Sequence, residues 1–565
     1  MIVASWVATR LCKLPQPRRA ATDVERDVEI KMPDGANLLA DRWYPVGDGG
    51  PLPTILIRSP YGRRPFGLIG QLYAERGYIT LIQSTRGTFG SDGETEPFRT
   101  EQADGLATLE WVAGQPWFGG KTATWGPSYL GIVQWAIAAK VPDHVKAMGM
   151  HVTASNVRNI VYPGGTFSLE TGAVWMDLVH HQELPRSQHI KALLQSQKRL
   201  RPVFKKLPLR YSDEVGLGQP VPFYKDWVTH ETPGDQWWAP VDFSADADKV
   251  PPVSMVTGWY DLFLPHQLDD FQRIQEAGRT ARITIGPWHH QSPGNFAEQI
   301  RDGLSWFDKY LLDRESSEPD RAPVRLWVMG SERWADLEQW PPPAEVERWH
   351  LHQRGFLSPS SHQDETSLGG RGPSTAAGAL DRYRNDPADP APGIGGPSLN
   401  ALNCGPKDQA RREARHDVLT YTSDVLADDM VVAGPLSAEV WVRNSTPHFD
   451  VSVRLCEVDQ QGRSWNISDG IQRVNLAPGG AGGIAITAGA DGTARVRVDM
   501  WPTAITFRRG RRIRLQIASC AHPLFARNLG GPERLADGVQ IHRSDVEVFH
   551  DADHPSGIDL PVSSI

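Results

Sequence analysis

The sequence predicts an α/β fold followed by a separate β domain. Up to about residue 150, compact apolar runs bounded by Pro and Gly alternate with segments long enough for helices. Such alternation is typical of a mostly parallel sheet covered by helices on both faces. The pattern is interrupted by a polar, helix-like insertion and then resumes after residue 250. Beyond residue 345, short strand-like runs dominate, which favours an antiparallel β-sandwich.

The first elements predict an antiparallel pair that leads into the parallel sheet. Val24 to Met32 alternates apolar and charged residues, and Asp34-Gly35 provides a turn before Leu38 to Tyr44. The next strands are predicted at Thr54 to Arg58, Tyr78 to Gln83 and Ala123 to Trp125. Between the last two, Ala103 to Ala113 has its apolar residues on one helical stripe.

The chain then leaves the sheet and returns to it. Ser155 to Trp238 contains few strand-like runs and many polar residues, which indicates an inserted helical cap. Strand signals return at Val253 to Thr257 and Arg282 to Ile285, and each run is followed by Gly and a cluster of aromatic and polar residues. A helix over Phe296 to Leu312 and a strand over Val324 to Met329 are predicted to complete the domain.

A stiff break at Pro341-Pro342-Pro343 marks a domain boundary near residue 345. The segment from Ser358 to Gly396 is rich in Gly, Ser, Pro and Asp. Beyond it, short strands are predicted at Val418 to Thr422, Leu436 to Val442, Val451 to Val458, Ala494 to Val498 and Arg512 to Ala518. The regular spacing indicates a jelly roll. We therefore expect a leader of uncertain order (1–22), an α/β domain (23–150 and 242–344), a helical cap inserted in it (151–241) and a jelly-roll domain (345–565).

Composition limits the partners and the compartment. The 565 residues carry a formal net charge of -8, which provides no field to attract nucleic acid or an anionic membrane. No apolar run approaches the ~18 residues of a membrane helix. The four cysteines form no C-x-x-C pair, and the apolar start Met1 to Val7 lacks a charged region before it. A cytoplasmic protein is expected. Homodimerisation is conceivable, although no residue pattern supports it.

Ser128 is the candidate nucleophile. It lies in Thr124-Trp125-Gly126-Pro127-Ser128-Tyr129-Leu130-Gly131, between a strand-like run and an apolar segment that predicts a helix. A strand, a sharp turn and a helix are the frame in which many hydrolases present a reactive hydroxyl. However, the second glycine lies three residues after the serine rather than two, so the simple G-x-S-x-G pattern is not met.

A serine nucleophile needs a base and an acid that orients the base. Asp261 directly follows the strand Val253 to Thr257 and its Gly-Trp-Tyr extension, at the end where this fold class carries functional loops. Asp269 and Asp270 are weaker candidates because they lie further from the strand. His289 and His290 follow the strand Arg282 to Ile285. Spacing does not choose between the two histidines.

Taken together, the motifs resemble the CocE/NonD family of α/β-hydrolases, which is related to X-Pro dipeptidyl-peptidases, α-amino-acid ester hydrolases and bacterial cocaine esterase. The resemblance extends from about Asp23 to the C-terminus. It rests on Arg58-Ser59-Pro60-Tyr61, Thr85-Arg86-Gly87, Gln115-Pro116-Trp117, Gly126-Pro127-Ser128-Tyr129-Leu130-Gly131, Gly258-Trp259-Tyr260-Asp261, Gly286-Pro287-Trp288-His289-His290 and Asp386-Pro387-Ala388-Asp389-Pro390.

The resemblance implies an α/β-hydrolase domain with Ser128 as nucleophile, Asp261 as orienting acid and His290, rather than His289, as base. Ser-Tyr-x-Gly is the family's own form of the turn, which accounts for the displaced glycine. The resemblance also implies an oxyanion hole made by the Tyr61 hydroxyl and the backbone amide of Tyr129. It further implies that the C-terminal domain closes one side of the pocket.

The substrate pocket is predicted less directly. The resemblance places Phe263 and Trp175 near it, with Tyr162 and Phe167 of the cap as neighbours. Glu170 and Asp177 could contribute to a carboxylate cluster for a substrate ammonium by residue type alone, and no such cluster is claimed. Gly119-Gly120-Lys121-Thr122 imitates a phosphate-binding loop but lacks its first glycine. No metal or cofactor is required by any motif.

The predicted function is a serine hydrolase that cleaves a small carboxylic ester through an acyl-enzyme. The alternative is an amidase, an X-Pro dipeptidyl-peptidase or an α-amino-acid ester hydrolase with the same three residues, because ester and amide cleavage share a tetrahedral intermediate. A different class of protein is also considered, in which the β-sandwich binds a carbohydrate or a partner and the hydrolase domain is inactive.

Overall fold

Two β-sheets organise the chain, one in each half of the sequence. The computed structural model describes residues 2–19, 21–47, 50–314, 321–360, 379–477 and 482–565. The strands of the first sheet are β1 (Thr22–Lys31), β2 (Asn37–Pro45), β3 (Leu52–Ser59), β4 (Ile79–Ser84), β5 (Phe118–Pro127), β6 (Val145–His151), β7 (Val253–Tyr260), β8 (Ala281–His289), β9 (Val324–Val328) and β10 (Arg333–Leu337).

The first sheet has a parallel centre and antiparallel edges. Its order is β1-β2-β4-β3-β5-β6-β7-β8-β9-β10. All neighbours from β4 to β9 run parallel, whereas β1 with β2, β2 with β4 and β9 with β10 are antiparallel. The carboxyl ends of β5, β7 and β8 therefore share one edge of the sheet, which is where Ser128, Asp261 and His290 follow.

Helices cover both faces of this sheet, as the sequence predicts. They are α1 (Ile2–Leu11), α2 (Gly67–Ala74), α3 (Glu101–Ala113), α4 (Tyr129–Ala138), α10 (Leu264–Glu276) and α11 (Pro293–Leu311). Consecutive residues of β5 show the two faces, because side chains alternate along a strand. The Thr124 hydroxyl donates to Gln134 of α4, whereas the indole of Trp125 donates to the Gln299 carbonyl of α11.

The first helix lies within residues expected to form a leader of uncertain order. Ser5 of α1 donates a hydrogen bond of 2.5 Å to the Glu75 carboxylate, and the Arg76 guanidinium donates to the Thr9 hydroxyl at 3.1 Å. Because Ser5 and Thr9 are buried, α1 covers the end of α2. The alternating pattern that predicted β1 starts only after this helix.

The cap lies between β6 and β7 and is helical. Its helices are α5 (Val157–Val161), α6 (Leu169–His181), α7 (Arg186–Lys205), α8 (Ser212–Leu217) and α9 (Pro222–Thr229). None of the helices in the described part of the chain combines the length and the apolar composition that a membrane crossing requires.

The C-terminal sheet begins at Ala344 and contains the β-rich region. Its elements are β11 (Ala344–His352), β12 (Phe356–Ser358), β13 (Leu380–Asn385), α12 (Ala410–Glu413), β14 (Leu419–Thr422), β15 (Met430–Asn444), β16 (His448–Val458), β17 (Ser464–Asn475), β18 (Ile484–Ala485), β19 (Ala494–Phe507), β20 (Arg512–Ala518), β21 (Ser544–Phe549) and β22 (Gly557–Ser563).

The described strands of this domain form one continuous, mostly antiparallel sheet rather than two separate ones. The path runs β13-β21-β15-β19-β17-β16-β20-β14-β12-β11-β22, and β15 also pairs with β22. That second pairing closes the path on itself from β15 round to β22. The predicted antiparallel β domain is therefore present, while hydrogen bonding connects its strands in the manner of a barrel.

Candidate active site

Ser128 lies at the turn between β5 and α4. Its φ of 59° is in the left-handed region, which is strained for a residue with a Cβ atom. The Ser128 amide donates to the His151 carbonyl at 2.9 Å, and the Ser128 carbonyl accepts from the amides of Gly131 and Ile132. These bonds hold the partly exposed serine at the tip of a sharp strand-to-helix turn.

Two glycines make this turn possible. A Cβ atom on Gly126 would lie 2.4 Å from the Cβ of Leu130, and one on Gly131 would lie 2.5 Å from the Cβ of Thr153. Carbon atoms that are not bonded pack at about 3.5–4.0 Å, so neither position accepts a side chain. The glycine three residues after the serine is thus required by the close approach of Thr153, and the non-standard spacing has a steric cause.

Asp261 and His290 form a hydrogen-bonded pair beside the serine. Asp261 follows β7 and is fully buried; its Oδ1 accepts from the Phe263 amide at 2.8 Å. Its Oδ2 lies 2.8 Å from Nδ1 of His290. A carboxylate accepts only, so Nδ1 carries the proton and Nε2 is left with a lone pair. His290 and Ser128 line the same cavity.

The competing candidates lie elsewhere. His289 belongs to β8 and pairs in register with Tyr260, and its Nδ1 accepts from the Gln291 amide at 3.3 Å. Asp270 binds the Ser155 hydroxyl and contacts Arg273, and Asp269 lies 3.8 Å from His266. Of the two adjacent histidines, His290 is therefore the one that is hydrogen-bonded to Asp261.

Tyr61 presents its phenol to the cavity. Its oxygen accepts a hydrogen bond of 3.0 Å from the indole nitrogen of Trp175. Burial raises the pKa of Tyr61 to about 12, so the phenol keeps its proton at neutral pH. Since one lone pair is occupied by Trp175, the hydroxyl proton is directed away from the indole and can be donated to a group in the cavity.

Tyr129 contributes differently from Tyr61. Its phenol donates to the Glu101 carboxylate at 2.8 Å and accepts from the Phe98 amide at 3.1 Å. Its ring is therefore fixed within the domain. Its backbone amide is at the first position of α4, where N–H groups have no acceptor within the helix. That amide and the Tyr61 hydroxyl are the two donors that the sequence resemblance assigned to an oxyanion hole.

Aromatic residues form much of the cavity wall. The rings of Trp175 and Trp227 stack with centroids 5.3 Å apart, and Phe98 stacks on Trp227 at 6.2 Å. Phe263 and Phe167, both expected in the pocket, also line the cavity. Among the described residues that line it, none is Asp, Glu, Lys or Arg. The cavity is thus suited to an apolar group held beside a polar, hydrogen-bonding edge.

The structure does not place Tyr162 in the cavity wall. Its phenol donates to the Trp227 carbonyl at 2.7 Å, so it supports a wall residue from behind. Phe98, Trp227 and Leu399 line the cavity without having been singled out from the sequence. Phe98 has a positive φ of 70°, but a sequence gives no direct sign of that conformation.

Among the described residues, three hydrogen bonds join the C-terminal domain to the chain around Asp261 and His290. The Trp501 indole donates to the Asp261 carbonyl at 3.1 Å, and the Tyr260 hydroxyl donates to the Asn466 carbonyl at 3.3 Å. The Gln291 amide nitrogen donates to the Leu399 carbonyl at 3.0 Å. The loops that carry Asp261 and His290 are therefore held from both domains.

Comparison with protein families identifies two matching regions. Residues 34–292 match the X-Pro dipeptidyl-peptidase (S15 family) model, and residues 319–557 match the X-Pro dipeptidyl-peptidase C-terminal non-catalytic domain. The cocaine esterase of Rhodococcus sp. (strain MB1 Bresler) is 30% identical to this chain, over 95% of this chain and 98% of the esterase.

Solved structures show the same fold over nearly the whole chain. An α-amino acid ester hydrolase superposes with a TM-score of 0.78 at 20% identity, covering 97% of this chain and 98% of that one. An aminopeptidase from a marine sediment Thaumarchaeota archaeon gives 0.77 at 20% identity with the same coverage. A CocE/NonD family hydrolase from Staphylococcus aureus gives 0.66 at 15% identity, covering 96% and 94%.

Proposed function

We propose that Ser128, His290 and Asp261 perform the reaction of this chain, which belongs to the CocE/NonD family of serine hydrolases and is a serine ester hydrolase. That family carries the S15 peptidase domain and its C-terminal partner. The observation that carries the assignment is the 2.8 Å bond between Asp261 and His290 at the edge of the cavity that Ser128 also lines.

In the proposed mechanism, the Ser128 hydroxyl attacks the carbonyl carbon of the ester while Nε2 of His290 accepts its proton. Asp261 holds the imidazole in the required tautomer and stabilises the imidazolium. The oxyanion of the tetrahedral intermediate accepts hydrogen bonds from the Tyr61 hydroxyl and the Tyr129 amide. Collapse returns the proton from His290 to the departing alcohol and leaves Ser128 acylated.

Deacylation repeats these steps with water. Nε2 of His290 removes a proton from the water as its oxygen attacks the acyl carbon. The second intermediate uses the same two oxyanion donors, and its collapse restores the Ser128 hydroxyl and releases the acid. Each proton removed from a nucleophile is delivered to a leaving oxygen, so the enzyme ends the cycle as it began.

Ser128→Ala tests the assignment of the nucleophile. We expect the variant to fold, since alanine occupies nearly the same volume, and to lose on the order of 10⁶ in kcat. A fluorophosphonate that phosphonylates reactive serines should label the native protein and leave the variant unlabelled. Near-native turnover by the variant would show that another residue is the nucleophile.

The cavity favours esters with an apolar acyl group over substrates with a free amino terminus. Burying an ammonium group requires a compensating acceptor or anion. The described lining residues include no carboxylate, and Glu170 and Asp177 both lie outside the wall. An aryl ester and a Gly-Pro anilide offered to the same preparation separate the two activities. Preferential cleavage of the anilide would favour the peptidase alternative.

We also propose the form of the C-terminal domain, the domain limits, the cellular location and the oligomeric state. The resemblance supports a jelly roll for residues 345–565 and a role for that domain in closing the pocket, and its bonds to the loops of Asp261 and His290 are consistent with that role. The proposed domain limits are those predicted from the sequence. We propose a cytoplasmic location and a homodimer as well.

A further inference from the structure

A loop of the C-terminal domain forms part of the cavity wall. Residues 393–405, here called the 393–405 loop, carry Leu399, which lines the cavity with Ser128 and His290. The Leu399 carbonyl accepts from Gln291, the residue after the proposed base. The loop contains no helix or strand, and its two ends are held through the backbone of Gly393, Gly396 and Gly405. The position of the segment around Leu399, between these ends, depends on its own individual contacts.

Three side chains of the loop converge on Glu170 of the cap helix α6. Glu170 is 2% exposed. Its Oε2 accepts from the Ser398 hydroxyl at 2.5 Å and from the Asn403 amide at 3.4 Å, and its Oε1 accepts from the Asn400 amide at 2.9 Å. One buried carboxylate thus receives donors from residues on both sides of Leu399.

The side-chain amides of Asn400 and Asn403 cannot easily exchange the positions of their oxygen and nitrogen atoms. The oxygen of the Asn400 amide already accepts from Gln197 at 2.9 Å and from the Leu402 backbone at 3.1 Å. The oxygen of the Asn403 amide accepts from the Gly395 backbone at 3.1 Å. Both NH₂ groups therefore face Glu170, and only a group that accepts on both oxygens matches them.

Asp177, seven residues further along the same helix, provides a contrast. It receives two hydrogen bonds from Arg199 of α7, at 2.6 and 2.8 Å, and lies 3.3 Å from His181. Both partners belong to the cap. The described ion pairs include none with Glu170, whose partners are neutral and belong to the other domain. Of the two buried carboxylates of α6, Asp177 therefore binds within the cap, whereas Glu170 binds the 393–405 loop.

We propose that Glu170 is a positioning residue for substrate selectivity, because its carboxylate fixes the 393–405 loop and thereby places Leu399 in the wall of the cavity. Glu170 touches neither the substrate nor the reacting atoms. The inference rests on the proposed function, since it explains which acyl groups the Ser128 site accepts. It assigns the selectivity to a contact between two domains rather than to the cavity wall alone.

The test is the selectivity of Glu170→Gln among p-nitrophenyl esters of increasing acyl size. Glutamine keeps the shape but turns an NH₂ group toward donors, so the loop should shift. We expect the ratio of kcat/KM for the benzoate over the acetate to change about tenfold, which corresponds to an altered contact with one or two carbon groups. Labelling of Ser128 by a small fluorophosphonate should persist.

Asp177→Asn is the matched control. It removes a charge from the same helix but leaves the loop contacts in place, so its selectivity ratio should stay within about twofold of the native ratio. If Asp177→Asn changes the ratio as much as Glu170→Gln does, the effect comes from general disturbance of α6 and the inference is wrong.

A double variant tests whether Glu170 acts through Leu399. Leu399→Ala should itself change the ratio, and adding Glu170→Gln to it should then have less than about a twofold further effect. Equal effects of Glu170→Gln in both backgrounds would overturn the inference. Should Glu170→Gln fail to fold, Ser398→Ala removes one donor from the opposite side and should shift the ratio in the same direction.

Failure of the proposed function gives a different result. In that case the native protein would not be labelled at Ser128, or Ser128→Ala would keep its activity. If the native protein is labelled and hydrolyses the esters, but Glu170→Gln keeps the native ratio, only the role of Glu170 is rejected.

Discussion

The two sides of the active-site cavity are built in different ways. The catalytic side contains the proposed catalytic residues Ser128, Asp261 and His290, each of which follows a strand of the parallel sheet. The substrate side consists of aromatic residues from the cap, of Phe98 and Phe263 from the α/β domain, and of Leu399 from the 393–405 loop of the C-terminal domain. Backbone geometry determines the catalytic side, whereas side chains that meet across domains determine the substrate side.

This difference explains which parts of the site can be predicted from the sequence. A sharp turn needs glycines at fixed places, so the catalytic side appears as short motifs with a set spacing. An aromatic wall needs only large apolar rings, and many positions along a helix can supply them. Reaction type is consequently easier to predict than substrate for a chain of this kind.

The largest expected effect after loss of the nucleophile comes from Asp261→Asn. An asparagine keeps the shape but stabilises the wrong tautomer of His290, and a comparable change in a well-studied triad lowers kcat about 10⁴-fold. The variant should be measured for ester hydrolysis beside His289→Ala, whose side chain makes no bond to Asp261. A loss in His289→Ala as large as that in Asp261→Asn would reverse the assignment of the base.

Tyr61→Phe tests the next contribution on the catalytic side. Removal of one oxyanion donor typically costs about 10²–10³ in kcat. Trp175→Phe removes the hydrogen bond to Tyr61 but leaves the phenol in place. It should cost less in kcat than Tyr61→Phe does. If both variants lose kcat equally, the phenol supports packing rather than the oxyanion.

On the substrate side, Trp227→Leu should act mainly through KM. Trp227 stacks against Trp175 and Phe98, so its loss weakens binding of an aromatic acyl group by about 10–100-fold in kcat/KM. Labelling by a small fluorophosphonate should change little. Trp237→Leu is the control, because Trp237 stacks on His230 and does not line the cavity. A dominant fall in kcat would place Trp227 on the catalytic side instead.

The smallest expected effect concerns the support beneath Ser128. His151 is fully buried, its imidazole nitrogens have no hydrogen-bond partner among the described residues, and burial lowers its pKa to about 4. Below pH 6.5 the unfolded chain gains a proton that the folded chain does not, so stability falls as the pH drops toward 4.

This acid sensitivity should decrease in His151→Leu. Between pH 7 and pH 5 the native protein should lose about 2 kcal/mol more than the variant, if the pKa changes from 6.5 to about 4 on folding. Thermal unfolding midpoints of both proteins at the two pH values provide the measurement. Equal shifts would mean that His151 is protonated in the folded state.

Much of the catalytic domain could be predicted from the sequence. The predicted strands overlap β1 to β5 and β7 to β9, because buried strands read as short apolar runs and edge strands as alternating ones. The turn between β5 and α4 and the family were both predicted, and Asp261 and His290 follow the strands after which they were expected. The pairing of Asp261 with His290 required the family pattern, since the spacings of His289 and His290 to every other motif differ by only one residue.

The remaining features depend on contacts between distant residues. The pairing of β15 with β22, which joins Ser437 to Asp559, has no local signature. Nor does the contact of α1 with Glu75. Leu399 lies in a loop rich in Gly, whose apolar residues follow neither a helical nor a strand periodicity. Its place in the cavity is set by Glu170, more than two hundred residues earlier in the sequence.

The three hydrogen bonds from the C-terminal domain to the loops of Asp261 and His290 have a consequence for how this activity can be inherited. A gene fragment that encodes the strand and helix domain alone would lose the donors and acceptors supplied by Trp501, Asn466 and Leu399. The acid and the base would then rest on loops held from one side. Recombination that separates the two domains is therefore expected to weaken the positioning of Asp261 and His290, even where every motif of the first domain is kept.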